Sequence, residues 1–583
     1  MRSLFSTSSK ALSAVTLALL AGCSGLQSPT PAPAPAAEPP AASAASEATQ
    51  GSFEPATLYA LLVAEIAGQR GLPRVSLHNY LQEAERTRDV AITRHAAHIA
   101  AQLKDTESLL RAALIWADIE PANPAPYRLA AGELIKRGDH ARALPLLETA
   151  LRLNDTPVVD VLVERVEKMS AEELDAYRQL MDQLLTEQPQ QPRWLYTKAA
   201  LLRLQPELEP ALTLVQDALA QEPDFDRAIL LEADLQARSG HVDTALSHLR
   251  EELRQRDHKQ MRTLYLRLLL EKQQYPLAEQ QAQLLVANHP GDHNLTFYVG
   301  ALLMENGRLD AAEGYFEQLA MAVGSNSTLH YYLGRIAQQR EDRAEALAHY
   351  TRVSDAPYLL PSQAEIGRLL DQPEDRDQLT EIYSTARQQH PAAAATLYAL
   401  EGSWLADKDL KHAAMLVYNE GVSQFPDDTR LRYNRAMLGE QLDDLALLES
   451  DLRHLLELEP DNAMALNALG YSLTDRTDRH PEALKLISRA LELKPDDPAI
   501  LDSMGWVHFN LGQLDIALDY LQRAYTSFPD PEIATHLGKA YWALGRTQEA
   551  MAVWQEALER DPDSQLLLDA VAAVQQDTPT AKP

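Results

Sequence analysis

Apolar residues recur three and four positions apart along most of the chain, in blocks of roughly a dozen residues, and strict alternation is scarce. That spacing predicts amphipathic helices joined by short turns, with no sheet. The last two blocks are the clearest. Leu537, Gly538 and Tyr541 share one face of a first helix, Gly545 supplies a turn, and Ala550, Trp554 and Ala557 share one face of a second. The small residues Gly538, Ala550 and Ala557 stand where two helix backbones must approach closely, and the large ones fill the gaps between them. Pro562 lacks the amide a helix needs and closes the second helix.

The same phase returns upstream. Pro391, Pro426, Pro460, Pro495, Pro529 and Pro562 lie about 34 residues apart, a period that predicts stacked helix–turn–helix repeats. Small and large residues keep step with the prolines: Met504, Gly505, Ala517, Leu521 and Ala524; Leu469, Gly470, Ala483 and Ala490; Gly402, Ala414, Tyr418 and Gly421; Gly334, Ala346, Tyr350 and Val353; Gly300, Ala312 and Phe316. Ala199, Ala211, Val215 and Ala218, then Ala233 and Ala245, continue the series with weaker signal. Dividing the repetitive span by the period gives roughly 13–15 helix pairs. The pattern is most degenerate before residue 190, and Pro357, Pro361 and Pro373 crowd a poor stretch at 355–375.

The repeat resembles the tetratricopeptide repeat. Leu537, Gly538, Tyr541, Ala550, Trp554 and Pro562 occupy that family's signature positions, with Trp554 in place of its Phe and Ala534 in place of its Trp. The resemblance implies an all-α fold, a superhelical solenoid of antiparallel helix pairs whose concave face, lined by first helices, binds proteins. The expected divisions are degenerate helical repeats at 55–190, tetratricopeptide-like repeats at 191–390 and well-formed repeats at 391–562. A capping helix over Asp563–Gln575 and a short tail complete the span 563–583. One long superhelix is expected, with any bend at the poor stretch 355–375.

The N-terminus reads as an address. Arg2 and Lys10 precede an apolar run, Ala11–Leu20, too short for a membrane-spanning helix. Leu20-Ala21-Gly22-Cys23 follows and resembles the lipobox of bacterial lipoproteins. The resemblance implies a signal peptide over 1–22, cleavage between Gly22 and Cys23, and lipidation of the Cys23 thiol. It also implies outer-membrane sorting, since Ser24 stands where an inner-membrane retention signal has Asp, with the protein facing the periplasm. Cys23 is the only cysteine, so no internal disulfide is available. Residues 23–54 are rich in Pro, Ala and Ser and read as an extended tether.

A formal charge of −31 argues against nucleic acid and against lying on an anionic membrane, and suits a partner with a basic patch. Acidity that only keeps a large chain soluble accounts for it equally well. No zinc-protease, phosphate-loop or nucleophile-elbow motif occurs. His95 and His98 stand three apart, a spacing that pairs two imidazoles on a helix. No third metal ligand accompanies them, and a solvated helix face explains them as well. Asp427-Asp428 and Asp496-Asp497 read as charges at helix N-termini. No enzyme, cofactor, metal or small-molecule substrate is expected.

The candidate protein-binding surface is the inward face of the first helices in the last four repeats. Helical geometry places there Arg430, Tyr433 and Met437; Asn467, Tyr471 and Thr474; Asp502, Trp506 and Phe509; and Thr535, Lys539 and Trp542. This is an aromatic stripe with polar neighbours, the composition of interface anchors, although some rings would serve equally to pack one repeat on the next. Asn467 and Lys539 suit a peptide carboxylate, but the set of basic and Asn residues that a full carboxylate clamp needs is not present. With the lipobox, the whole resembles an outer-membrane repeat lipoprotein that binds a periplasmic C-terminal processing serine protease and brings it cell-wall hydrolases. The alternative is a scaffold for an envelope assembly or secretion machine, such as exopolysaccharide export, pilus biogenesis or outer-membrane protein insertion.

Overall fold

The protein is described by a computed structural model over residues 54–155, 157–206 and 208–576. The signal segment, Cys23 and the tether lie outside the described residues, as does the tail after 576. Every described element is a helix, and the chain divides into two compact units at 186/187.

The first unit holds α1 (Pro55–Gln69) paired with α2 (Pro73–Thr87), α3 (Val90–Gln102) with α4 (Thr106–Ile119), and α5 (Pro124–Arg137) with α6 (His140–Arg152). The expected irregularity falls at its end. There α7 (Val158–Val163) has six residues and a 3₁₀ turn at Val166–Lys168 precedes α8 (Ala171–Glu187). The division at 186/187 follows this irregular pair. The three pairs before it are as regular as any downstream.

The second unit stacks eleven such pairs among its described residues. They begin with α9 (Pro192–Leu202) and α10 (Glu209–Gln221), α11 (Asp226–Arg238) and α12 (Val242–Gln255), α13 (Lys259–Glu271) and α14 (Tyr275–Ala287), then α15 (His293–Glu305) and α16 (Leu309–Val323). Next come α17 (Ser327–Gln339) and a short α18 (Arg343–Tyr350), α19 (Leu359–Leu369) and α20 (Arg376–Gln389), then α21 (Ala394–Asp407) and α22 (Lys411–Gln424). The last pairs are α23 (Thr429–Gln441) and α24 (Leu445–Leu458), α25 (Ala463–Arg476) and α26 (His480–Leu493), α27 (Pro498–Asn510) and α28 (Leu514–Ser527), and α29 (Pro531–Ala543) and α30 (Thr547–Arg560). A lone α31 (Gln565–Gln576) covers the end, packed on α29 and α30.

The proline period has a direct structural meaning. The second helices end at Gln389, Gln424, Leu458, Leu493, Ser527 and Arg560, and a proline stands two residues after each. The second aspartates behind Pro426 and Pro495 are true caps. The Asp428 carboxylate accepts from the Leu431 amide at 2.9 Å, and that of Asp497 from the amides of Ala499 and Ile500. Each satisfies amides that the first helical turn leaves without a partner.

Each pair is locked by a small residue against a large one. A Cβ built on Gly300 would lie 2.9 Å from the Phe316 ring, and one on Gly334 would lie 2.8 Å from that of Tyr350. Gly402 meets Tyr418, Gly505 meets Leu521 and Gly538 meets Trp554 in the same manner. Phe316, Tyr350, Leu521 and Trp554 are fully buried. Apolar clusters each span successive pairs, so every pair packs on its neighbours in sequence.

Candidate functional site

The first helices of the last four repeats, α23, α25, α27 and α29, carry the candidate surface. Residues one period apart in sequence fall on neighbouring helices, so side chains from successive repeats meet. Arg430, half exposed, donates to the Thr396 hydroxyl of α21 at 2.8 Å, 34 residues away. Tyr433 is half-buried against the core of α23–α27, and burial raises its phenol pKa. Its neighbours Arg432 and Arg435 do not reach outward. Both grip Asp451 of α24, a fully buried carboxylate, at 2.7–2.8 Å.

Tyr471, Trp506 and Phe509 of the stripe form one cluster, centred on a residue that the spacing did not single out. His536 of α29 stacks on Trp506 at 4.1 Å between ring centroids, and its Nδ1 donates to the Asp502 carboxylate at 2.9 Å. Phe509 stacks on Trp506 at 5.0 Å, and the Lys539 ammonium sits 5.2 Å from the Trp506 ring centroid. Tyr471 crosses from α25 to donate its hydroxyl to Glu532 at 2.6 Å, spanning two repeats. Burial, then the Glu532 carboxylate, pushes the Tyr471 phenol far above its ordinary range.

The sequence placed Asp502 and Trp506 on an exposed face. They are 5% and 8% exposed, because His536 from the next repeat covers them. Asn467, Phe509 and Lys539 remain half-buried. Met437 is also half-buried, and Thr474 and Thr535 are buried. Trp542 is half-buried and leans on Trp554 at 6.3 Å, and it lines a groove of about 470 Å³ with Met551 of α30 and Val574 of α31. Asn467 and Lys539 stand two repeats apart, on α25 and α29. Within the cluster, Trp506 Nε1 and Asn467 Oδ1 are buried without a hydrogen-bond partner. His536 was detectable in principle: it lies 34 residues, one period, after Asp502.

His95 and His98 line a groove of about 560 Å³ in the first unit, with Arg94 and Trp116. The His95 ring packs against Tyr80 at 4.4 Å between centroids, tilted by 58°, while His98 bonds Gln102 at 2.9 Å. Among the described residues no group of three or more His, Cys, Asp or Glu side chains is disposed to hold a metal. None of the described helices is long and apolar enough to cross a membrane. Cys23 and Gly22 lie outside the described residues.

Similarity to known proteins follows the repeat. The family model for the tetratricopeptide repeat matches residues 230–293, 300–358, 449–498 and 503–565. A TPR repeat-containing protein of Pseudomonas aeruginosa is 36% identical over 533 residues, 91% of this chain and 90% of that one. Cellulose synthase operon protein C of Pseudomonas fluorescens is 23% identical over 275 residues, 43% of this chain but 21% of that protein. Among solved structures, a thermophilic TPR protein of Thermus thermophilus is 22% identical, covering 31% of this chain and 100% of that chain, with a TM-score of 0.29.

Proposed function

The chain belongs to the tetratricopeptide-repeat family, and from that premise we propose that it is a lipid-anchored adaptor of the bacterial outer membrane, facing the periplasm. It binds a C-terminal processing serine protease and presents cell-wall hydrolase substrates to it. The observation that carries the reading is that helix pairs occupy nearly every described residue from Pro55 to Gln576, directly behind the lipobox-like Leu20–Cys23 and its tether. A chain built of such repeats offers recognition surface, and an adaptor raises the effective concentration of enzyme and substrate without making or breaking bonds itself. The half-buried Phe509 and Lys539 beside Trp506 offer an aromatic and a cationic contact to a protein ligand.

A second reading has its own support. The similarity to cellulose synthase operon protein C favours a scaffold in envelope assembly or export, with exopolysaccharide as the cargo class. Affinity capture of the detergent-solubilised protein separates the two. The adaptor reading expects a processing protease to co-purify and to cleave its substrate faster when this protein is added. Recovery of assembly or export components alone, with no effect on proteolysis, sinks it.

A further inference from the structure

Helix α1 is apolar on two opposite faces. One face turns Thr57, Ala64 and Ala67 onto α2. The other carries Leu58, Leu62 and Ile66, four residues apart, at 52%, 51% and 48% exposure, with Tyr59 beside them at 72%. Leu72 and Val75, at the entry to α2, extend the patch. The only charged residue of α1, Glu65, is engaged by the Tyr80 hydroxyl. A helix that is apolar all round is a buried helix, and the end of a soluble repeat stack calls for a polar outer face. The outer face of α1 meets neither condition by itself.

We propose that this outer face is a docking element, seated as a single helix in an apolar groove of a partner protein through Leu58, Leu62 and Ile66. Anchors four residues apart along one line of a helix are the spacing such grooves read. The charge pattern selects this occupant over a lipid surface. Helices that lie in a membrane interface carry Lys and Arg along a polar face. α1 has neither residue, its opposite face is taken by α2, and a chain of net charge −31 is repelled by anionic lipid. The exposed Arg70 and Arg74 follow the helix at one end, so the groove that fits has an apolar floor and an acidic rim at that end. The area argues against a second copy. Six side chains about half exposed amount to roughly 600 Å², short of the roughly 800 Å² per partner that a stable dimer buries. The proposal goes beyond the adaptor reading by moving the docking contact from the inner face of the repeats to the outer face of the first helix.

The test uses the full chain in its own cells. The photo-crosslinking residue benzoylphenylalanine replaces Leu62 or Ile66, with Leu416, 71% exposed on α22, as the control position. Both α1 positions are expected to give the same heterologous protein adduct, and Leu416 none. That protein, once purified, is expected to bind the full chain at least thirtyfold more weakly when Leu58→Asp and Ile66→Asp are combined. Leu416→Asp, at the control position, is expected to change its affinity less than threefold. Because the α1 side chains are already half in solvent, the doubly substituted chain is expected to melt as the wild type does. Adducts between two copies of this chain overturn the proposal. So does flotation on phosphatidylethanolamine–phosphatidylglycerol vesicles that the same substitutions abolish. If Phe509→Ala abolishes partner binding and the α1 pair changes it less than threefold, the α1 proposal falls and the adaptor reading stands. If no heterologous protein is captured at any position, both fall.

Discussion

A glycine in a helix interior usually costs stability relative to alanine, by about 0.5–1 kcal/mol. Gly314 and Gly334 lie on successive helices and answer that rule in opposite ways. Gly314 is exposed on α16, and a Cβ there meets nothing within 4 Å. Gly334 is buried on α17, and a Cβ there meets the Tyr350 ring at 2.8 Å. That ring is fully buried and donates its hydroxyl to Gln338 at 2.7 Å, so it has no slack. Gly314→Ala is therefore expected to raise the denaturation midpoint slightly. Gly334→Ala is expected to lower it by an amount equivalent to about 1–3 kcal/mol, the usual cost of overpacking a core. Urea unfolding of both variants checks this, and a stabilised Gly334→Ala would show that the close approach is not a constraint. The sequence foretold the small-against-large positions because the glycine and its opposing ring recur in fixed phase. It did not foretell that His536 covers Trp506. A first-helix side chain faces both its own repeat and the next, and an inward angle on one helix does not say which neighbour closes over it.

At the scale of the helix pair, one polar contact makes stability depend on pH. Glu232 of α11 is nearly buried, 9% exposed, and His248 of α12 approaches it at 3.1 Å. Burial alone would raise the Glu232 carboxyl. Hydrogen bonds from His248, Gln216 of α10 and Gln236 outweigh burial and hold it below the usual glutamate range. The same bond to Glu232 raises His248 above its ordinary value, against partial burial and with help from Glu252. A raised histidine gives stability that is fully present below its unfolded value and lost as pH rises through its folded one. A lowered carboxylate gives stability present above its unfolded value and lost as pH falls through its folded one. The two windows overlap between about pH 5 and pH 6, bounded by the ordinary glutamate and histidine values. Glu232→Gln is thus expected to cost most stability near about pH 6 and progressively less as pH rises past the folded His248 value. Urea midpoints across pH, with an NMR titration of the His248 ring, measure both halves. A loss that does not vary with pH would assign Glu232 a packing role alone. The helices themselves were legible from apolar spacing, and their ends from Pro, Gly and Asp. A contact between α11 and α12 was not, because these polar residues sit off the small-and-large phase that marks the repeat.

At the scale of the whole chain, function turns on where the repeats are held. The only cysteine stands directly after Leu20-Ala21-Gly22, and a Pro/Ala-rich stretch separates it from α1. That stretch holds about 30 residues, which at full extension span at most roughly 100 Å. A lipid on Cys23 would keep the docking face of α1 within this radius of the membrane and leave the regular C-terminal repeats free to reach other proteins. Anchoring of this kind requires more than one acyl chain, as a lipoprotein N-terminus supplies. Cys23→Ser removes the thiol that would accept the lipid and leaves the sequence of every described helix unchanged. The wild-type protein is expected in the membrane fraction, released by detergent and not by high salt. Cys23→Ser is expected in the soluble periplasmic fraction, with an unchanged circular dichroism spectrum and melting curve. Retention of Cys23→Ser on membranes through salt washes would refute lipid anchoring at this residue. If Leu58→Asp and Ile66→Asp were then added to Cys23→Ser, release only on that addition would transfer the anchor to α1 and overturn its assignment to a protein groove.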